Sequence, residues 1–316
     1  MDGSVRPAGL ELTFITGYPR DLFRRMAQYA EFDASEMSLS TYIAMIARGD
    51  RRFVAIPVFP SRNFRHGYIF VNRRAGITRP EDLKGKRIGV PEYQMTAALW
   101  IRGFLQHDHG IAPRDMTWFT GAMDEHGFDE RYALSLPTDV RLTTIGRGET
   151  LEAMLESGAI DALIMAARPK LAGQSDTAIA RLFPDFPRVE QDYYRRTGLF
   201  PIMHTVVVRR DLYERHPWIA TSLFEAFELA KREGRARIRI TGPLAVALPW
   251  LPAHLEEVEA TFGGHDPWVY GIEPNRSVLE TMVRYSVEQG LATRAVGLDE
   301  LFARETFVPP AIGRVA

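Results

Sequence analysis

Apolar positions along the chain fall into two rhythms. Short runs of strand length, "LELTFI" (10–15), "FDASEMSLS" (32–40), "FVAIPVF" (53–59) and "GYIFVN" (67–72), alternate with "RDLFRRMAQYA" (20–30) and "TYIAMIARG" (41–49), where apolar residues recur at helical spacing. The stretch "GITRPEDLKGKRIGVPEYQMTAALWIRGFL" predicts a loop, a short helix over Pro80 to Leu83, a strand "RIGV", and a helix starting near Thr96. Farther on, "RLTTI" predicts a strand, "ETLEAMLESG" a helix stopped by Gly158, and "IDALIMA" a second strand, together a βαβ unit. After the β-branched strand "FPIMHTVVVRR" only helical patterns remain, clearest in "WIATSLFEAFELAKREG" and "SVLETMVRYSVEQG"; in the latter Leu279, Met282, Val283 and Val287 form one apolar stripe.

Strands separated by helices predict an α/β protein with largely parallel sheets. At 316 residues the chain is longer than one core usually serves. "GYIFVN" and "HTVVV" bracket a middle segment with its own βαβ pattern, so the expected organisation is a lobe from residues 1–72 and 206–316, a second lobe from 73–205, and a hinge and cleft between them. In open α/β sheets ligands sit outside the carboxyl ends of the strands, which directs attention to the loops there.

Composition narrows the partner. The 39 basic and 40 acidic side chains leave a net charge of -1, which gives no field favouring nucleic acid or an anionic membrane and fits a small molecule better. The absence of cysteine excludes disulfides, thiolate nucleophiles and Cys-based metal sites. With no signal-like amino terminus and no apolar run of membrane-spanning length, a soluble cytoplasmic protein is expected.

Several stretches carry candidate chemistry. "RNFRH" places Arg62, Arg65 and His66 ahead of an apolar strand; if extended, Arg62, Phe64 and His66 share one face and Arg65 takes the other. The bland alternative pairs both arginines with carboxylates across the hinge and lets His66 cap a strand. His204 begins the returning strand and could approach His66 across the cleft. "EMSLSTY" sets Glu36, Ser38 and Ser40 at a strand end, with Ser40 as the expected helix N-cap; "PEYQMTAALW" repeats the arrangement with Glu92, Tyr93 and Gln94 before an expected N-cap at Thr96. Glu92 is either a carboxylate for proton traffic or a solvated loop charge, and Tyr93 fits ordinary packing as well. "HDH" (107–109) reads as a solvated helix end, and "GRGET", without the Lys-Ser/Thr of a phosphate loop, as a turn plus cap.

"EDLKGKRIGVPEYQMTA", "MLESGAIDAL" and the bracketing strand pair resemble the type 2 periplasmic-binding-protein-like fold. "FDASEMSLSTY", "FVAIPVFPSRNFRHGYIFVN", "GVPEYQMTAALWIRG", "RLFPD", "YYRRTGLFPIMHTVVVRRDLYERHPW" and "YGIEPNR" together resemble the 4,5-dihydroxyphthalate decarboxylase family, from about Gly3 to Phe307. Members of that family begin with a further strand ending in a Tyr-Asp-Arg-like turn, whereas this chain starts at the phrase that follows it.

The resemblance implies a cytoplasmic, homo-oligomeric carboxy-lyase that needs no cofactor and acts on an aromatic dicarboxylate; no metal site is assigned, and use of a divalent metal is left open. Such a substrate asks for arginine, whose planar fork pairs with carboxylate, and for a proton donor to the ring. On this reading His66 is the first choice for proton transfer, with His204 dividing acid and base work or joining His66 and a carboxylate at a metal. Arg62 or Arg65 would hold a carboxylate, Glu36 would orient a histidine or accept a phenolic proton, and Ser38, Ser40, Tyr93, Gln94 and Thr96 would line the substrate. The competing expectation is a solute-binding protein that holds an organic acid without chemistry; the histidines favour the enzyme.

Overall fold

The structure, a computed structural model, describes residues 3–123, 136–240, 242 and 245–308. Its strands are β1 (Ala34–Ser38), β2 (Phe53–Ile56), β3 (Ile69–Asn72), β4 (Arg87–Gly89), β5 (Thr117–Thr120), β6 (Arg141–Thr144), β7 (Ala162–Ile164), β8 (Ile179–Arg181) and β9 (His204–Arg209). The helices are α1 (Pro19–Tyr29), α2 (Leu39–Ala47), α3 (Thr96–His109), α4 (Leu151–Ser157), α5 (Phe186–Thr197), α6 (Arg210–Arg215), α7 (Ile219–Ile238), α8 (Leu251–Thr261), α9 (Arg276–Glu288) and α10 (Leu298–Leu301).

Two sheets result. A three-stranded sheet has the order β1-β9-β2, and a six-stranded sheet the order β6-β5-β4-β7-β3-β8. The expectation of largely parallel sheets holds only for β6-β5-β4-β7; β9 runs antiparallel to both its neighbours, and β3 antiparallel to β7 and β8. The returning strand enters its sheet from the opposite end and breaks the parallel order. β3, which a boundary at Asn72 leaves with the first lobe, pairs within the six-stranded sheet. The chain passes between the sheets in the segments 57–68 and 182–203.

Local signals explain most elements. Pro19 opens α1. Thr150 caps α4 by accepting from the Ala153 amide, and Gly158 ends it at φ 83, a backbone conformation that a side chain would strain. The Pro80–Leu83 turn, α3 and the β6-α4-β7 unit form as the pattern predicts. "LELTFI" does not become a strand: residues 10–15 lie in neither helix nor strand, with Leu12, Phe14 and Ile15 exposed, since no neighbouring strand offers them a ladder. In α9 the stripe buries Leu279, Met282 and Val283, but Val287 reaches the surface near the helix end.

One continuous core joins the sheets. It runs from Met26, Met37 and Val207 through Tyr93, Leu99 and Trp100 to Ile88, Trp118 and Ile164. α3 lies along this seam, and its Trp100 Nε1 donates to the Ile202 carbonyl of the returning segment at 2.9 Å.

Candidate active site

β1 and β9 set the first half of the site. Ser38 lies opposite His204 in their antiparallel register, and the two-residue alternation of a strand puts Glu36 on the same face as Ser38. His204 Nδ1 meets Glu36 Oε1 at 2.5 Å. On its other side the His204 ring receives Phe23 of α1 edge-on, at 4.7 Å between ring centres and 80° between planes. The pair is only partly buried, so solvent or a ligand reaches it.

The second half comes from the β4–α3 loop. Thr96 Oγ1 lies 2.9 Å from Ser38 Oγ and 2.9 Å from Ser40 Oγ, and Ser40 Oγ donates to the Gln94 carbonyl at 2.5 Å. The two hydroxyl-bearing segments, far apart in sequence, thus meet across the seam between the sheets. The expected caps differ in detail. Ser38, not Ser40, is the N-cap of α2, and Met95, not Thr96, that of α3; Ser40 and Thr96 sit in the first turns and turn their hydroxyls to each other instead. Both helices present N-terminal ends here, so two positive dipole ends converge on one hydroxyl cluster. The Gln94 carboxamide, 1% exposed as a residue, has no hydrogen-bond partner within the protein.

Glu92 is buried and pairs with Arg20 Nε of α1 at 3.3 Å. Tyr93 points into the core: its ring meets Trp118 edge-on at 5.5 Å and lies 3.8 Å below the Arg102 guanidinium, and burial pushes its phenol up. Arg102, itself fully buried, donates to the Tyr93 carbonyl at 2.7 Å and to Gln289 Oε1 at 2.8 Å, which fixes the base of the loop.

The "RNFRH" residues lie in a different setting. The segment is not extended: Arg62 makes an isolated bridge to Ile202, and His66–Tyr68 is a 3₁₀ turn, so the alternation of faces is lost. Arg62 donates to the Phe200 carbonyl at 2.9 Å and the Val269 carbonyl at 3.4 Å; Arg65 donates to the Ala166 carbonyl at 3.0 Å and reaches Met203 Sδ at 3.2 Å. Burial pulls both guanidinium groups down to about 10, which leaves them charged at neutral pH. His66, 4% exposed, stacks on Phe104 at 4.1 Å and touches Phe183 and Tyr193. Burial pulls its imidazole down to about 4, so it is neutral at pH 7. Its Nδ1 has no hydrogen bond and stands 4.0 Å from Glu190 Oε1, whose carboxyl burial pushes up to about 7. That spacing resembles an ion pair, but both shifts favour the neutral forms, and a neutral pair agrees with the aromatic walls.

His66 and His204 therefore do not meet: no hydrogen bond or ring contact joins them, and they share no partner. Among the described residues no group of three His, Asp or Glu side chains could hold a metal ion. His107 and His109 each meet one carboxylate, Glu288 at 2.7 Å and Glu81 at 3.0 Å. In "GRGET" the Gly146 amide donates to Glu149 Oε2 at 2.7 Å, the expected turn before the Thr150 cap. A groove of about 710 Å³ lies elsewhere, on the outer face of α9, lined by Val283, Val287 and Phe307 together with the Arg276–Glu280 and Arg284–Glu288 pairs.

Sequence reasoning passed over Arg20, Phe23 and Glu190. Pro19 marks a helix start, which places Arg20 and Phe23 three apart on one face, and Glu190 sits at helical spacing between Phe186 and Tyr193 on an otherwise apolar stripe. Those signals were present; the distant partners that give them meaning were not.

Two sheets joined by crossing segments, with a polar cluster at the seam, define an α/β protein of the periplasmic-binding-protein fold. The structure resembles that of the periplasmic aliphatic sulphonate binding protein of Escherichia coli, with a TM-score of 0.51 and 13% identity over 92% of this chain and 85% of that one. A protein from Bordetella bronchiseptica RB50 gives a TM-score of 0.51 and 17% identity over 92% of this chain and 83% of that one. At those identities the likeness shows the fold alone. Sequence similarity is more specific: the chain is 37% identical over 302 residues to a 4,5-dihydroxyphthalate decarboxylase of Comamonas testosteroni, spanning 96% of this chain and 91% of the relative. It is 42% identical over 195 residues to one from Pseudomonas putida, spanning 62% of this chain and 76% of that relative. No protein-family model matches. The chain belongs to the 4,5-dihydroxyphthalate decarboxylase family, as its phrases led us to expect.

Proposed function

We propose that the protein is a carboxy-lyase converting 4,5-dihydroxyphthalate to 3,4-dihydroxybenzoate and carbon dioxide. The observation that carries this reading is the 37% identity, across 96% of the chain, with a relative that bears that activity in its name. The reaction has three requirements that the proposed site must meet. A hydroxyl para to the departing carboxylate pushes electrons into the ring, an acid protonates the carbon that bears the carboxylate, and loss of carbon dioxide restores aromaticity. The balance is one carboxylate and one proton in, one C–H bond and one carbon dioxide out.

We assign the proton transfer to His204. Glu36 accepts the Nδ1 proton, fixes the tautomer and leaves Nε2 to exchange a proton with the substrate, an arrangement familiar from other carboxylate-histidine pairs. The Ser38, Ser40 and Thr96 hydroxyls and the two helix N-termini offer hydrogen bonds and positive potential to a carboxylate or phenolate. The Gln94 carboxamide adds a donor and an acceptor for the ring hydroxyls. Arg62 and Arg65 brace the segment that leads into His204, through the Phe200 carbonyl and Met203 Sδ, and Tyr93 and Glu92 shape the loop of the site. The two sheets act as two lobes that close on the substrate, with the crossing segments as hinge.

We further propose that the enzyme works in the cytoplasm and as a homo-oligomer, for which exposed Trp250 and Leu248 supply apolar surface. Carbon dioxide release from 4,5-dihydroxyphthalate by purified protein, with the product identified by chromatography, tests the activity. Saturable binding of the acid without release would instead mark a binding protein.

A further inference from the structure

We propose that Phe23 is a positioning residue for His204: its ring holds the imidazole in the plane that keeps Nδ1 on Glu36 and leaves Nε2 to the substrate. The inference rests on the assignment of proton transfer to His204, and adds a third member, from α1, to a pair built from β1 and β9. Glu36 grips His204 at one atom, Nδ1 to Oε1. A histidine ring turns about its last side-chain bond with a broad, roughly two-fold preference. A contact at one nitrogen therefore still allows a swing about that contact, and a half-turn that puts carbon in the place of Nδ1. The pair is also partly exposed, the His204 side chain by 22% and that of Glu36 by 32%, so water and salt compete for the contact.

Among the described residues Phe23 is the one aromatic ring against His204, its centre 4.7 Å from that of the imidazole and its plane at 80°. A turn of the imidazole either drives the ring edges together or parts the two rings, and either loses contact that water and salt do not replace. The Phe23 ring is itself held. Pro19 opens α1, and Phe23, Met26 and Ala27 follow at helical spacing as its buried stripe, packed on β1. Arg52 ties the last turn, its Nη2 donating to the Ala27 carbonyl at 2.8 Å. β1 thus carries the Glu36 carboxylate and also seats the helix that brings Phe23, so one strand sets both contacts of the imidazole. A single ring on one side leaves the rest of His204 open, whereas three rings enclose His66.

Phe23→Leu keeps apolar volume and loses the flat ring; Phe23→Tyr keeps the ring. Two measurements read them: steady-state kinetics on 4,5-dihydroxyphthalate, and nitrogen NMR of histidine-labelled protein at alkaline pH, with the His204 signals identified by their loss in His204→Gln. The parent is expected to show one His204 tautomer, protonated at Nδ1. In Phe23→Leu the tautomers should mix and kcat should fall by about 10-fold, with KM within about twofold, and Phe23→Tyr should restore both readings. A Phe23 that serves packing alone would lower the unfolding temperature of Phe23→Leu and leave kcat and tautomer of the folded protein as in the parent, which overturns the proposal. A fall in kcat with the tautomer unchanged overturns it too, as does a Phe23→Tyr that folds like the parent and behaves like the leucine variant. Mixed tautomers in Phe23→Leu with unchanged kcat would keep the positioning and remove His204 from the chemistry. If the parent releases no carbon dioxide, the tautomer alone decides for or against Phe23.

Discussion

His66 and His204 present the same imidazole to opposite surroundings. His204 holds Nδ1 against Glu36 and keeps part of its ring at the surface of the seam. His66 is enclosed by Phe104, Phe183 and Tyr193, is pulled down to about 4, and leaves a ring nitrogen unbonded. The difference matters for the proposed proton transfer, which needs a partner that fixes the tautomer and a ring edge open to a ligand; of the two histidines, His204 has the carboxylate partner and the partial exposure. A histidine in an aromatic box, held neutral, behaves mainly as a flat ring that fills space.

The largest effect should come from the first site. His204→Gln keeps polarity and volume but cannot cycle a proton, and kcat should drop by about 10²- to 10⁴-fold. Glu36→Gln should lose less, since the imidazole survives with its tautomer less firmly set. Stopped-flow measurement of ring protonation in the two variants ranks them, and a His204→Gln enzyme within threefold of the parent would remove the distinction between the histidines.

That distinction was only half legible in the sequence. "EMSLSTY", "PEYQMTA" and the histidine of "HTVVV" could be read as a strand end, a helix start and a returning strand, because capping residues and β-branched runs are local signals. Their meeting was not readable: Ser40 and Thr96 bond each other across two sheets, and register alone decides that His204 faces Ser38 rather than His66. The prominence of "RNFRH" came from charge count. Backbone carbonyls of distant loops accept from its arginines, and carbonyls leave no mark in a sequence. The antiparallel entry of β9 was hidden for the same reason, since a β-branched run has no direction until it finds a neighbour.

Changes at the second site should speak through stability rather than rate. His66→Phe keeps a flat ring on Phe104 and removes the unbonded nitrogen, so turnover should stay within about threefold and unfolding free energy within about 1 kcal/mol. His66→Ala leaves a void between aromatic walls and should cost about 2–3 kcal/mol, still with little loss in kcat once folded. Urea unfolding beside steady-state kinetics separates the two outcomes. If His66→Phe abolishes turnover while folding normally, His66 does proton chemistry and the contrast with His204 collapses.

The smallest effect concerns pH. Burial pushes Glu190 up from 4.5 to about 7 and pulls His66 down from 6.5 to about 4. Between about pH 4.5 and 6.5 the unfolded chain therefore carries a proton on His66 and none on Glu190, and the folded protein carries one on Glu190 and none on His66. The proton counts match, so this pair gives the parent no slope of stability with pH in that window. Glu190 alone, with its folded pKa raised, contributes stability that is complete below about pH 4.5 and lost as pH climbs through 7. His66 alone, with its folded pKa lowered, contributes stability that is complete above about pH 6.5 and lost as pH falls toward 4. Glu190→Gln removes the first term while its amide oxygen can still accept from the Gly67 amide, the bond Glu190 makes at 3.1 Å. The variant should then gain on the parent as pH rises from 4.5 to 7, by at most about 1.4 kcal/mol per pH unit. Urea unfolding at half-unit steps measures that difference directly. A difference that stays constant across the window would mean the pair is ionised in the fold, and His66 would then be a charged partner of Glu190 rather than a neutral ring.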